Sequence, residues 1–155
     1  MSSWSVEHAV QTYLDGGFHD GDLLSHDWIM FLLDVTDRDI QADRFILLDR
    51  MDAFRQELLR THRIALANVR GKGYRIVPPD EQAEFAARTM SDHITRGMQK
   101  ASDLLQYTRR EALDVTAARR HTDTEVRVAA LRGLISKGKR DVWALFRPER
   151  RIENE

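Results

Sequence analysis

Residues 63–79, Arg-Ile-Ala-Leu-Ala-Asn-Val-Arg-Gly-Lys-Gly-Tyr-Arg-Ile-Val-Pro-Pro, constrain the fold more than any other stretch of the chain. Two apolar runs, Ile64–Val69 and Tyr74–Val77, flank Arg70-Gly71-Lys72-Gly73. β-Branched and aromatic residues around a compact glycine-containing connection predict a β-hairpin. The glycines supply the positive φ angles that a tight turn needs. Alternation places Tyr74 and Ile76 on one face of the second strand and Arg75 and Val77 on the other. Pro78-Pro79 ends the strand, because proline cannot donate to a ladder.

The chain in front of the hairpin is helical in pattern. Val6, Ala9, Val10, Tyr13 and Leu14 predict a short helix over 4–14, stopped by Gly16-Gly17. Residues 18–24 read as a turn around Asp20-Gly21-Asp22. Ser25 is the expected N-cap of a second helix, with Asp27 in its first turn. Trp28, Ile29, Phe31, Leu32 and Leu33 make that helix apolar on most sides, which predicts a core position. Thr36 or Asp39 caps a third and longer helix over roughly residues 40–61. Its expected buried stripe is Phe45 (or Leu48), Leu47, Met51, Phe54, Leu58 and Leu59.

Behind Pro79 the character changes. Asp80, Glu81 and Glu84 suit the first turns of a helix running to about Tyr107. Its stripe is narrow and rich in alanine and methionine: Ala86, Met90, Ile94, Met98, Ala101 and Leu105. Such a stripe predicts a helix partner at close range, and a homodimer through helix 80–107 is the expectation. Residues 108–121 read as a short helix or an irregular link. Thr122-Asp123-Thr124-Glu125 fits a capping box before a last helix over about 123–137. Trp143, Leu145 and Phe146 are apolar residues in a charged tail and are expected to dock, while residues 149–155 fray.

The expected architecture is therefore mainly α with one β-hairpin. Residues 1–79 form the first domain, and residues 80–155 form a helical extension. At 155 residues, 42% hydrophobic and 32% charged, the chain has no deficit of core. It has no cysteine, which excludes disulfides, thiolate zinc sites and cysteine nucleophiles. The absence of a long apolar run or signal-like start predicts a soluble, cytoplasmic protein with no membrane partner. The net charge of −1 conceals a split. Residues 1–60 carry 12 acidic and 5 basic side chains, and residues 61–155 carry 13 acidic and 19 basic. An anion-facing second half, a self-complementary assembly or merely solvated faces would each produce this division.

The run Val69-Arg70-Gly71-Lys72-Gly73-Tyr74-Arg75 resembles the wing of the winged-helix DNA-binding domains that end two-component response regulators. The resemblance covers residues 63–77 closely and 25–77 loosely. It implies a winged helix-turn-helix with helix 40–61 in the recognition position. Arg70, Lys72 and Arg75 would then contact phosphates or a minor groove of double-stranded DNA, and Arg44, Arg50 and Arg55 phosphates or guanines. No receiver-like segment precedes it, so phospho-relay control is not implied. The helix also carries Asp43, Asp49, Asp52 and Glu57, charges that oppose a DNA backbone. More loosely, the chain looks like small phage and prophage proteins with a hairpin, a double proline and a basic helical tail.

Arg88, Arg96 and Lys100 fall within about 120° of one another on helix 80–107. They either lengthen a phosphate-contacting surface, with Arg109-Arg110, Arg119-Arg120 and Lys137-Lys139-Arg140 continuing it, or pair with Asp92, Asp103 and Glu111. His19, Asp20, Asp22, His26 and Asp27 are the only cluster of metal-ligand types, in a spacing that matches no metal motif. No metal and no cofactor are expected. Phosphate-loop, dinucleotide and nucleophile-elbow signatures are missing, so no enzymatic activity is expected. The leading expectation is a transcriptional regulator or phage DNA-associated protein. The alternative is a protein-interaction module acting through the acidic N-terminal half, with RNA binding third.

Overall fold

The computed structural model describes residues 4–145. The chain forms two compact units, Met1–Phe85 and Ala86–Glu155.

The first unit begins with α1 (Val6–Asp15), whose Ser5 hydroxyl accepts from the His8 N–H. Ala9, Val10 and Tyr13 on one side of α1 are buried, and Gly16 caps its end. The chain turns through Asp22, whose carboxylate accepts from the His19 N–H at 2.8 Å, and enters β1 (Leu23–Ser25). Ser25 has two roles. It ends β1, and its side chain caps α2 (His26–Leu32) by accepting from the Trp28 N–H. Asp34 takes up a left-handed conformation at φ 52°, and the Val35 N–H then reaches back to the Met30 carbonyl. This closes α2 and buries Val35.

The helix expected over 40–61 is two helices, α3 (Asp37–Ala42) and α4 (Ile46–His62). Asp43 causes the break: its backbone is extended, and its carboxylate accepts from the Phe45 N–H at 2.9 Å. A short polar side chain that bonds its own following backbone competes with helix continuation. The break also changes the buried stripe. Met51, Phe54 and Leu58 are buried, and Leu47 packs against the core, but Phe45, Leu48 and Leu59 are 67%, 57% and 43% exposed. Phe31 on α2, also expected inside, is 72% exposed.

Arg63, left-handed at φ 59°, turns α4 into β2 (Ala65–Val69), which pairs antiparallel with β3 (Gly73–Val77). The hairpin stands as expected, but the sheet has three strands rather than two. Its order is β1-β3-β2, with Leu24 opposite Tyr74 and Ser25 opposite Gly73. Residues 18–24 therefore contribute a strand as well as a turn. Leu24, Leu66 and Ile76 face a core shared with α1, α2 and α4. Tyr13, Phe18, Trp28 and Phe54 form an aromatic cluster there, with ring centroids 4.7–6.4 Å apart.

The second unit consists of most of α5 (Gln82–Gln106), a 3₁₀ turn at Arg110–Ala112 and α6 (Val115–Leu145). α6 is one continuous helix and replaces the expected link over 108–121 and helix over 123–137. Its N-cap is Asp114, whose carboxylate accepts from the Ala117 N–H at 2.7 Å. The threonines of the expected capping box lie inside the helix. Thr122 and Thr124 donate back to the carbonyls of Ala118 and Arg120. Contacts of His121 with the Leu105 carbonyl and of Arg132 with Gln99 lay α6 back along α5. Leu105, in the stripe expected to meet a second copy, thus faces α6 of its own chain, across a groove of about 450 Å³. Trp143 and Leu145 fall within α6, and Phe146 and residues 149–155 lie outside the described residues.

Candidate functional site

The tip of the β2–β3 hairpin is a three-residue connection closed by the Lys72 N–H donating to the Val69 carbonyl at 2.9 Å. Gly71 sits at its apex with φ +73°. Arg70 and Lys72 on either side are exposed, and among the described residues neither makes an ion pair. Two cations thus project from a stiff two-stranded support, free to meet a polyanion.

Arg75 differs. On the strand face opposite Tyr74 and Ile76, it makes a bidentate pair with Glu81, at 2.6 and 3.0 Å. Glu81 follows the double proline in a 3₁₀ turn (Pro79–Glu81), so the pair ties the end of the hairpin to the start of α5. The Arg75 hydrogen bonds hold the Glu81 carboxyl below its ordinary range. A guanidinium in such a fork is committed to its carboxylate.

Two of the three arginines expected on the long helix are also committed. Arg50 donates through Nη1 to the carbonyls of Leu33 and Asp34, at 2.8 and 2.7 Å, and lies over the Trp4 ring at 5.1 Å. It satisfies the open end of α2. Arg55 donates to the Leu66 carbonyl at 3.2 Å and stacks over Tyr74 at 5.6 Å, joining α4 to the sheet. Arg44 lies in the break between α3 and α4 and is exposed. With Arg50 and Arg55 folded back, the exposed polar residues of α4 include Asp49, Asp52, Gln56 and Arg60. Arg60 had not been singled out, although its spacing of four from Gln56 and eight from Asp52 sets it on their face.

In the second unit Arg88, Arg96 and Lys100 are exposed on α5. Arg96 reaches the Asp92 carbonyl at 3.4 Å, and Arg110 pairs with Glu125. Among the described residues no group of three His, Asp or Glu side chains could hold a metal ion, and Asp22 is taken up by its own turn. No helix among them is long and apolar enough to cross a membrane. Of the cations expected to contact DNA in the first unit, the structure therefore leaves Arg70, Lys72 and Arg44 exposed. It withdraws Arg50, Arg55 and Arg75 into the scaffold. No family model, no curated protein and no solved structure matches the chain.

Proposed function

We propose that the chain is a non-enzymatic, winged-helix DNA-binding protein whose principal contact is the wing tip, Arg70 and Lys72. The observation that carries this reading is the pair of exposed cations on a short hairpin that directly follows a long helix. The α2 helix, the short α3 and the long α4 follow one another ahead of the hairpin, the order in which a helix-turn-helix leads into a wing. Phosphate contact by such a wing positions a protein on DNA without reading sequence. The solvent side of α4 carries Asp49 and Asp52 beside its one outward arginine, Arg60, so major-groove readout by α4 has weak support, and Arg44 stands just ahead of the helix.

The test is a salt titration of binding to mixed-sequence duplex DNA. Affinity falls steeply with salt in the wild type. Removing two phosphate contacts in Arg70→Ala/Lys72→Ala reduces the log–log slope by roughly 2. An unchanged slope, or no binding at low salt, overturns the proposal. A second reading has its own observation: Phe45 and Leu48, 67% and 57% exposed, adjoin Asp49 at the start of α4. Exposed aromatic and aliphatic side chains beside carboxylates suit a basic protein partner. In that case Phe45→Ala abolishes capture of the partner, while Arg70→Ala/Lys72→Ala leaves it intact.

A further inference from the structure

Along the side of α6 turned away from His121 and Arg132 run seven exposed residues: Arg119, Asp123, Val126, Ala130, Leu134, Lys137 and Asp141. Their spacings are four, three, four, four, three and four, which keeps them on one face at 3.6 residues per turn. The sequence of spacings is the same in either direction. The charges are not: they read plus, minus, apolar, small, apolar, plus, minus.

We infer that this face of α6 pairs antiparallel with the same face of a second copy, about a two-fold axis at Ala130. In that register Ala130 meets its own counterpart, and Val126 of each copy meets Leu134 of the other. Asp123 then faces Lys137, and Arg119 faces Asp141, each pair occurring twice. A two-fold contact must be self-complementary in this sense, because each residue and its opposite number exchange roles across the axis. A parallel pairing sets like charge against like at every charged layer. Ala130 at the centre lets the two helices approach closely, while Val126 and Leu134, 64% and 69% exposed in one copy, fill the layers on either side.

The second unit needs such a contact. Among its described residues no apolar side chain is buried; Ser91 alone is. Helices of 25 and 31 residues with no core of their own gain most of their stability from packing. The contact spans roughly 33 Å of helix at 1.5 Å per residue. It lies at the small end of specific interfaces, which predicts a dimer that dissociates on dilution. It moves the homodimer expected on α5 to α6, and it stands independently of the wing.

The test uses the full chain and measures mass by sedimentation equilibrium over a wide concentration range. The wild type shifts from monomer to dimer. Asp123→Lys and Lys137→Asp each weaken the dimer by about tenfold or more, because each reversal acts twice across the axis. The double variant Asp123→Lys/Lys137→Asp restores it, which a merely unfolded helix could not do. Since the chain has no cysteine, Ala130→Cys provides a second readout. Under mild oxidation it forms a disulfide-linked dimer far faster than Thr124→Cys on a neighbouring face. A monomer at every concentration overturns the inference. So does failure of the charge swap to restore the dimer, or equal cross-linking at residues 130 and 124.

Discussion

A β-carbon placed on Gly73 would lie 1.9 Å from the carbonyl oxygen of Leu24. The glycine that opens β3 is therefore fixed by the strand beside it and not by the hairpin turn alone. Its φ of +136° is a conformation that side chains resist, and no flexible atom can yield, since the obstacle is backbone. Gly71 at the turn has a positive φ but open space around it. The two substitutions should separate. Gly71→Ala costs about 1–2 kcal/mol, the penalty of a left-handed residue. Gly73→Ala costs about 3 kcal/mol or more and displaces β1. Chemical denaturation of both variants checks this, and equal costs would mean that β1 does not press on Gly73.

Arg50 and the pair Arg70/Lys72 should behave as opposites. Arg50 satisfies two carbonyls at the end of α2 and covers Trp4, whose indole N–H is buried without a partner. Arg50→Ala is expected to cost about 2–3 kcal/mol of stability, since hydrogen bonds from a charged donor are among the stronger ones. Arg70→Ala/Lys72→Ala is expected to stay within about 0.5 kcal/mol of the wild type. A denaturation series on both variants decides the matter. A destabilised tip variant would show that its cations belong to the scaffold too.

What was legible in the sequence was local. The hairpin, the Ser25 and Thr36 caps and the glycine stop after α1 each depend on a few adjacent residues with strong conformational preferences, and each is present. β1 was invisible because three residues carry no period, and only pairing with β3 makes Leu23–Ser25 a strand. The division of the long helix turned on one carboxylate, Asp43, which in sequence reads as an ordinary exposed helix residue. In α6 the error ran the other way: Thr122 and Glu125 have cap spacing, but a continuous helix leaves the threonine a carbonyl within reach, four residues back. For the site, sequence marks which residues are basic but not which of them find carbonyls or carboxylates. Arg50, Arg55 and Arg75 were indistinguishable from Arg70 until their partners were in place.

Stability should fall in acid through two identifiable carboxylates. The Thr36 hydroxyl and N–H, at 2.6 and 2.8 Å, hold Asp39 below its ordinary value of 3.8. Arg75 similarly holds Glu81 below its ordinary 4.5. A carboxyl whose folded-state pKa is depressed contributes stability that is complete above its unfolded value and is lost as pH falls through the folded one. The losses therefore lie below about pH 4.5. Glu81 is exposed and Asp39 only half-buried, so the effect is modest and weakens with salt. Thr36→Ala and Glu81→Gln should lower the denaturation midpoint at neutral pH, and the gap to the wild type should narrow in acid, less completely for Thr36→Ala, which also removes the acceptor of the Asp39 N–H. A gap that widens on acidification would reverse the assignment.

The start of α6 offers the sharpest local test, because two capping sites compete for the same helix. If Asp114 is the cap, Asp114→Ala removes the acceptor of the Ala117 N–H and destabilises the first turns by about 1 kcal/mol. Thr122→Ala then removes only a side chain that bonds back to the Ala118 carbonyl, which is neutral or slightly favourable in a helix interior. Amide hydrogen exchange on the full chain reads both effects residue by residue. Protection beginning near residue 118 in the wild type, reduced by Asp114→Ala and untouched by Thr122→Ala, is the expected pattern, because the first N–H groups of a helix have no partner within it. Unprotected amides over 118–122, with Thr122→Ala the damaging change, would instead place the helix start at the threonine.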